Sequence, residues 1–572
     1  MVKQDHFAAN VEALADRFPQ FVLYASALVP RTNFVNKEKI FPTIGKHINS
    51  QQIEFYQTLF VYGLGQGYEY LALKSWLAKD KERRVIFLED DLEAMSQFLH
   101  TKEAIKQIND SQVYIYFIEN IESKIFEHIA QTHAKQYVEV IASWHYNQSK
   151  QEKFLAIKKT LLRLVFYSFA SSSTQMRSSL ILSQSLSVYK NILSFSHVNK
   201  MKETFKGIPA IVCGAGPTLG ECYEVLRQVK GRALIITAGT ASTLVSNQGI
   251  TPDINVFVDP NFDEYDHLKP SNCFETVNFC ISHLHDDVYK LMNGCWGYLQ
   301  TQFNFRFNLW FEKCLEIKAE RFGDEISVHA HSVSFVALSV AYFLGCGPIL
   351  LCGVDLGYVD SYRYPKGLNM TENELSIMAK RAPTTDRLMR PMESKVMWVA
   401  EQQGLAEQAR SMKDILVYTC SEKSAFVEGV DHLSIEDFQA KYLHRQIDLS
   451  SFLFQLMQET RFNESQAQKL KPAIETLRKD MIVAQTHIQQ IVQEIKKLKI
   501  PKENAKIILE KSDLKNTLSY SLFLLKAVDI AESRLKALDK QGWFEQWKLI
   551  ENLLKLTFSS MNYNRPRENQ RL

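Results

Sequence analysis

The sequence predicts an α/β protein with a Rossmann-like parallel sheet at its centre, a smaller α/β domain before it and an all-α region after it. Three observations lead to this class. Short apolar runs alternate with helical segments between residues 206 and 430. A shorter series of the same kind lies before residue 150. No glycine occurs between residues 430 and 541, where apolar residues recur at three- and four-residue spacing.

Composition limits the function classes. The chain has 572 residues, of which 46 % are apolar, and its net charge of +3 argues against a dedicated nucleic-acid binder. The first residues do not have the pattern of a signal peptide, and no apolar run reaches the roughly 20 residues of a membrane span. All nine cysteines lie from Cys213 to Cys420 without a CxxC pair, which argues against zinc and fits a reducing compartment. We therefore expect a cytoplasmic protein without a bound metal.

Residues 1–150 are expected to form the smaller α/β domain. In the stretch "FVYGLGQGYEYL", a predicted strand is followed by Gly63, Gly65 and Gly67. The next predicted strand ends in Glu89 about 20 residues later, which is the position of the ribose-binding acid in a dinucleotide-binding fold. This fingerprint is weak by itself, so we favour a scaffold that binds no nucleotide. Residues 151–205 have helical periodicity and are interpreted as a connector.

The central domain is predicted to cover residues 206–435, and an all-α domain to cover residues 436–572. The predicted strands of the central domain are short and apolar, as in a sheet covered on both faces. They lie in "AIVCGAG", "ALIITAGT", "INVFVDP", "NFCISHL", "ILLCGVDLG" and "ILVYTCS". The all-α domain is expected to serve packing or partner contact without chemistry.

The first candidate site is "AIVCGAGPTLG". Gly214 and Gly216 permit a sharp turn and close approach of a ligand. Pro217 suits the first turn of a helix, and Thr218 adds a hydroxyl. Bare main-chain amides at this bend are predicted to hold an anion. No lysine follows as in a P-loop, so a P-loop nucleotide triphosphatase is disfavoured.

Two further sites follow predicted strands. Gly239, Thr240 and Asp259 come after two of them and are expected to hold base, ribose or sugar hydroxyls. Ser332 is predicted to start a helix. The strand after this helix ends in Asp355, close to Tyr358 and Asp360, and an acid at that position suits proton transfer.

Four segments together resemble the motility-associated factor (Maf) flagellin glycosyltransferases. They are "IPAIVCGAGPTL", "TAGTASTLVSNQGITPDINVFVDP", "SVSFVALSVAYFLGCGPILLCGVDLGY" and "VYTCSEKSAFVEGVDHLSIEDF". Each motif is weak alone, and the ordered set is fairly specific. The resemblance implies a fold near the bacterial sialyltransferases. It also implies transfer of a nonulosonic acid, pseudaminic or legionaminic, from its CMP-activated form to serine or threonine of flagellin, as flagellar assembly and motility require.

Carried over by the resemblance, the nucleotide contacts fall on Gly214, Gly216, Pro217, Thr218, Gly239, Thr240, Asp259, Ser332 and Val333. The sequence departs from the family in two places. Ala330-His331 replaces a pair of small residues, and "DSYRYPKG" puts Tyr364 where a histidine is expected.

The chemistry needs a stabilised leaving phosphate and a base for the incoming hydroxyl. Candidate bases are Asp355, His331 and Asp360, of which we favour Asp355. Donors to the phosphate are expected from Tyr358, Tyr362, Arg363 and Tyr364. No metal is expected, because the leaving group carries one phosphate and no clear DxD motif ends a strand.

Two alternatives remain open. A pterin pyrophosphokinase would use ATP and magnesium, with "DPNFDEYD" as the metal site. A flagellin-binding chaperone would work through the helical region without catalysis. The sequence does not determine the oligomeric state.

Overall fold

The computed structural model describes residues 6–24, 53–121, 123–176, 178–301, 306–318, 332–365, 376–377, 379–412, 414–500, 502–535 and 540–561. Contacts divide the chain into two compact units. The first comprises Met1–Ser171, Met370–Pro383 and Glu393–Ala400. The second comprises Ser172–Asn369, Thr384–Met392 and Glu401–Leu572. In the part of the chain that is described, no helix combines the length and apolar character that crossing a bilayer requires.

The chain forms fifteen strands in the described residues. They are β1 (Thr58–Tyr62), β2 (Arg84–Glu89), β3 (Val113–Phe117), β4 (Val138–Ala142), β5 (Phe195–His197), β6 (Ala210–Cys213), β7 (Leu234–Ala238), β8 (Ile254–Phe257), β9 (Val277–Cys280), β10 (Trp296–Tyr298), β11 (Ile349–Cys352), β12 (Arg381–Thr385), β13 (Pro391–Lys395), β14 (Val417–Thr419) and β15 (Asp431–His432).

The chain up to Cys314 contains thirteen of the described α-helices. They are α1 (Phe7–Arg17), α2 (Tyr68–Ala78), α3 (Leu92–Leu99), α4 (Ala104–Asn109), α5 (Lys124–Thr132), α6 (Trp144–Ser149), α7 (Gln151–Met176), α8 (Ser178–Lys190), α9 (Tyr223–Gln228), α10 (Ala241–Ser246), α11 (Phe262–Leu268), α12 (Asp286–Leu291) and α13 (Arg306–Cys314).

The second half adds α14 (Val333–Phe343), α15 (Val396–Ser411), α16 (Ile435–Tyr442), α17 (Leu449–Glu459), α18 (Glu464–Gln468), α19 (Leu470–Lys497), α20 (Ala505–Lys515), α21 (Leu525–Leu535) and α22 (Lys540–Met561). Short 3-10 turns lie at Pro19–Tyr24, Ile192–Ser194, Val198–Met201 and Pro217–Cys222, and a π-helical turn lies at Tyr520–Leu524.

The first unit contains a four-stranded parallel sheet in the order β3-β2-β1-β4. All five residues of β1 are buried, as expected for a central strand with helices on both faces. The α/β character predicted for residues 1–150 is confirmed. The unit extends beyond that boundary, because α7 side chains such as Leu161 and Val165 join the core under the sheet.

The second unit contains a nine-stranded sheet in the order β15-β14-β11-β6-β7-β8-β9-β10-β5, in which the pairings are parallel. Strands β6, β7, β8 and β11 are buried along their whole length. The predicted fold class is therefore confirmed. A separate two-stranded sheet joins β12 and β13.

The compact units do not follow the predicted boundaries at residues 205 and 435. One hydrophobic core joins side chains of the central sheet, such as Phe257 and Trp296, to side chains of the helical region, such as Met481 and Trp547. Helix α8, predicted as part of a connector, adds Leu182 to the same core. The sheet and the helices after it consequently fold as one unit, since neither apolar surface is covered without the other.

Candidate active site

The order of the strands points to one edge of the large sheet. Strand β6 pairs on one side with β7, the next strand along the chain, and on the other side with β11, which comes much later in the sequence. This is the point at which the strand order reverses. Open parallel sheets bind ligands beyond the carboxyl ends of their strands at such a point. The side chains after β6, β7, β8, β11 and β14 therefore define the candidate site.

The bend after β6 is packed against the end of β11. The Gly214 amide donates to the Cys352 carbonyl at 2.8 Å, and the Gly216 amide donates to the Gly353 carbonyl at 2.7 Å. A Cβ at Gly216 would collide with Oδ2 of Asp355. These two positions are therefore glycine because the chain after β11 comes too close for a side chain.

Asp355 fills the place that the sequence predicted for an anion. Its Oδ2 accepts the Thr218 amide at 2.9 Å, and its Oδ1 accepts the Thr218 hydroxyl at 2.5 Å. Pro217 opens a six-residue 3-10 turn, and α9, which follows it, is also short. The expectation of bare amides at this bend is therefore wrong: the amides of Gly214, Gly216 and Thr218 already have acceptors within the protein.

The environment of Asp355 changes its chemistry. The side chain is 3 % exposed, and burial raises the pKa of its carboxyl to about 7, against which the Thr218 hydrogen bonds act to lower it. A carboxyl that titrates near neutrality is suited in principle to proton transfer. Because both of its oxygens are engaged by Thr218, however, its present role is to hold the bend in place.

The ends of β7 and β8 form the other half of the site. Gly239 has a φ of +50°, and its amide donates to the Val256 carbonyl. Asp259 accepts the side-chain amide of Asn261 at 2.6 Å. The amide of Asp259 donates to Oε2 of Glu264 at 3.0 Å.

Two titratable side chains of α11 face this turn. Oε1 of Glu264 lies 3.3 Å from the position of a Cβ on Gly239, and burial raises the pKa of Glu264 well above its usual range, helped by the charge of Asp259. His267 places Nδ1 at 3.2 Å from the hydroxyl of Thr240. The arrangement places an imidazole and a buried carboxyl beside the turn after β7.

Burial and charged side chains together set the pKa of His267. Burial is the main cause that lowers the pKa of His267 below its ordinary 6.5; Asp263 raises this pKa, and the charge of Arg363 lowers it. The charge of Arg363, in the segment after β11, therefore acts on this imidazole. At neutral pH the imidazole is in its basic form.

Ser332 begins α14 as predicted. Its hydroxyl accepts the Phe335 amide at 3.3 Å, which is the contact of a helix N-cap. The Val333 side chain lies 3.8 Å from the position of a Cβ on Gly239. The start of α14 and the turn after β7 thus meet.

The remaining predicted residues lie in the segment after β11. Val359 and Tyr362 bond to each other across a two-residue turn, in which Asp360 and Ser361 both have positive φ values, 50° and 66°. Asp360 is exposed at the tip of this turn. Tyr358 and Tyr364 are half-buried, and the Arg363 guanidinium lies 4.5 Å from the centre of the Tyr364 ring. His331 lies outside the described residues.

An ion pair marks the edge of the site at β14. Nζ of Lys423 lies 2.7 Å from Oε1 of Glu221, and Asp360 and Asp355 add to the field that raises the pKa of Lys423. Both partners are about half exposed. A surface pair of this kind contributes little stability, so Lys423 is a cation that an anionic ligand can recruit.

In the first unit, the loop that contains Gly63, Gly65 and Gly67 (the glycine loop) is contacted by carboxylates of the same unit. Glu89, which is fully buried, accepts the Leu64 amide at 2.9 Å and the Tyr146 hydroxyl at 2.5 Å. Oε2 of Glu69 lies 2.8 Å from the position of a Cβ on Gly65. The Glu89 carboxylate therefore serves the turn itself.

Sequence reasoning missed Glu264, His267 and Lys423. Glu264 and His267 are three residues apart in "DPNFDEYDHL", directly after a predicted strand. Since residues at i and i+3 share a helix face, this spacing could have identified the pair. Lys423 gave no local signal, because its partner Glu221 is distant in sequence.

Comparison with known proteins gives one family match. The model of the family described as "MptE-like: 6-hydroxymethylpterin diphosphokinase MptE-like" matches residues 183–361, less than half of the chain. The match covers β5 to β11 and ends within the segment that carries Asp360. A search of the curated proteins finds no match.

A structure search finds a likeness over almost the whole chain. The matched structure is described as "Structure of MAf glycosyltransferase from Magnetospirillum magneticum AMB-1", with 14 % sequence identity and a TM-score of 0.49. The match covers 97 % of this chain and 95 % of the other.

Proposed function

We propose that the chain is a protein O-glycosyltransferase. It moves a nonulosonic acid, of pseudaminic or legionaminic type, from its CMP-activated form to serine or threonine of flagellin. The observation that carries this proposal is the contact between His267 and Thr240 at the end of β7, where the charge of Arg363 also acts on the imidazole. It supplies a base and a cation at the edge where parallel sheets bind ligands.

The base is assigned to His267 in preference to Asp355. Imidazole with a lowered pKa is neutral near pH 7, so it accepts a proton from an incoming hydroxyl. His267 is half-buried and open to an approaching substrate, whereas Asp355 is buried with both oxygens engaged by Thr218. Asp355 is therefore a positioning residue that fixes the bend after β6.

The leaving group needs positive charge. Glycosyl transfer from a CMP sugar breaks the bond between the anomeric carbon and a phosphate oxygen, and CMP leaves with the electron pair. The acceptor oxygen forms the new bond to that carbon, and its proton passes to His267. Arg363 and the amides at the start of α14 neutralise the departing phosphate, because cations and helix N-termini favour anions.

The donor's carboxylate adds a second negative charge. Lys423 follows β14 and forms an exposed ion pair with Glu221. Because an exposed ion pair contributes little free energy, an anionic sugar can replace Glu221 as the partner of Lys423. Arg363 and Lys423 thus offer two cations to a donor that carries a phosphate and a carboxylate.

The family match favours a second candidate, a pterin diphosphokinase. That reaction would need Mg²⁺ and ATP, with the acids after β8 as ligands. Oδ1 of Asp259 instead accepts the main-chain and side-chain amides of Asn261, and burial raises the pKa of Glu264, which disfavours the charged carboxylate that a cation would bind. These contacts compete with Mg²⁺ for the carboxylate oxygens. We therefore favour the glycosyltransferase over the pterin diphosphokinase.

One reaction series tests the proposal. Purified protein is incubated with flagellin and CMP-activated nonulosonic acid, and intact mass and released CMP are measured. We expect flagellin to gain whole nonulosonic acid residues with one CMP per sugar. His267→Gln should lose this activity, whereas the matched surface variant Asp266→Asn should keep it.

A parallel reaction contains ATP, Mg²⁺ and hydroxymethylpterin. Release of AMP with unchanged flagellin mass would contradict the glycosyltransferase and establish the pterin reaction. Unchanged flagellin without AMP release, together with stable binding of flagellin, would favour a chaperone and equally contradict the proposal.

A further inference from the structure

Three cysteines that are far apart in sequence converge behind the bend after β6. Cys222 closes the 3-10 turn Pro217–Cys222, Cys352 is the last residue of β11, and Cys420 follows β14 directly. Their sulfur atoms all lie within 4.8 Å of one another, and Sγ of Cys222 is 3.3 Å from Sγ of Cys420. They meet because the carboxyl ends of neighbouring parallel strands lie at one edge of a sheet.

The spacing of the sulfur atoms suits a metal ion. A metal–sulfur bond of about 2.3 Å places three ligands of a trigonal site about 4 Å apart. The observed sulfur positions bracket this value, so side-chain adjustments below about 1 Å would close the site. Within the described part of the chain the group holds three ligands and no fourth. Zinc prefers four ligands, whereas Cu⁺ accepts three thiolates.

The three sulfur atoms differ in their access to solvent. Cys222 and Cys352 are fully buried, whereas Cys420 is partly exposed. The cluster therefore has one ligand with access to solvent and two buried ligands, and a metal that binds there displaces the protons of the thiols.

We propose that Cys222, Cys352 and Cys420 bind one soft d¹⁰ metal ion, Cu⁺ in preference to Zn²⁺, in a three-thiolate site. Binding of one Cu⁺ forms three copper–sulfur bonds, and each thiol that becomes a ligand breaks its S–H bond and releases its proton to solvent. The ion ties the segments after β6, β11 and β14 together. Cys222 Sγ also lies 3.8 Å from the Thr218 carbonyl, so the site supports the residue that Asp355 holds.

The test uses the full-length chain, reduced and purified without oxygen. Cu⁺ is titrated in competition with a chromogenic Cu⁺ chelator. We expect about one tightly held equivalent per chain and a higher melting temperature with the metal bound. Cys420→Ser should lose the tightly held equivalent, and Cys295→Ser, a partly buried cysteine outside the cluster, should retain it.

X-ray absorption of the copper-loaded wild type gives a readout that does not depend on any variant. Three sulfur ligands at about 2.3 Å would support the site. No tight Cu⁺ binding, full binding by folded Cys420→Ser, or a copper shell without three sulfurs would overturn it. Binding of Zn²⁺ but not Cu⁺ would overturn the choice of metal, and a Cys222–Cys420 disulfide as the only product would replace the metal site with a redox pair.

Discussion

Asp355 binds both donors of Thr218, the amide at 2.9 Å and the hydroxyl at 2.5 Å, across 137 positions of sequence. This contact joins the chain after β11 to the chain after β6 at the point where the strand order reverses. Because Asp355 occupies the Thr218 amide and hydroxyl, the bend after β6 is a structural part of the candidate site and does not bind an anion. We therefore assign the contacts with substrate to residues at the ends of β7 and β8.

The pH dependence of stability should reveal Asp355. Its folded pKa of about 7 lies above the roughly 3.9 of an unfolded aspartate, so its contribution is complete below about pH 4 and is lost as the pH rises towards about 7. Asn does not titrate. The melting temperature of wild type relative to Asp355→Asn should therefore fall between about pH 4 and pH 7. Asp360→Asn, on an exposed turn, is the control, and parallel curves for wild type and Asp355→Asn would refute this assignment.

Gly216→Ala should destabilise the second unit. Its Cβ would collide with the Asp355 carboxylate and would lie 2.7 Å from the Gly353 carbonyl oxygen. Overpacking of this kind costs about 1–3 kcal/mol, which urea denaturation can measure. Gly220→Ala is the matched control because nothing lies within 4 Å of its Cβ position. Equal stability of the two variants would show that the bend is looser than described.

His267→Gln should lower kcat by about 10²–10⁴-fold, with little effect on the KM for the donor. In the wild type, activity should fall when the pH drops below the pKa of His267. Since burial lowers this pKa, that acidic limb should lie below about 6.5. Initial rates of CMP release across pH give both results. A glutamine variant with the wild-type rate and the same acidic limb would exclude His267 as the base.

Glu89→Gln should reduce stability without reducing transfer. Glu89 accepts the amides of Leu64, Asp90 and Asp91, so weakening it loosens the first unit. A loss of about 1–3 kcal/mol is expected from scanning fluorimetry and denaturation. Glu127→Gln, on an exposed helix face, should change neither property. A fall in CMP affinity in folded Glu89→Gln would instead make this loop a nucleotide site.

Local patterns predicted the local features of this fold. Buried strands such as Ile349–Cys352, the cap at Ser332 and the turn at Pro217 each follow from a few adjacent residues. The occupied bend depends on Asp355, and the shared core depends on contacts between the sheet and helices such as α22. Sequence spacing contains no information on such distant partners. For the same reason, the sequence did not predict that Cys222, Cys352 and Cys420 lie together.

The central claim is that the activated donor binds beside Gly239, Val333 and Arg363, and not in the bend 214–218. The most direct measurement is a crystal structure of the protein with CMP. The account predicts the CMP phosphate next to Arg363 and the start of α14, with the Asp355–Thr218 contact intact. CMP in the bend with Asp355 displaced, or CMP bound only by the glycine loop of the first unit, would contradict it.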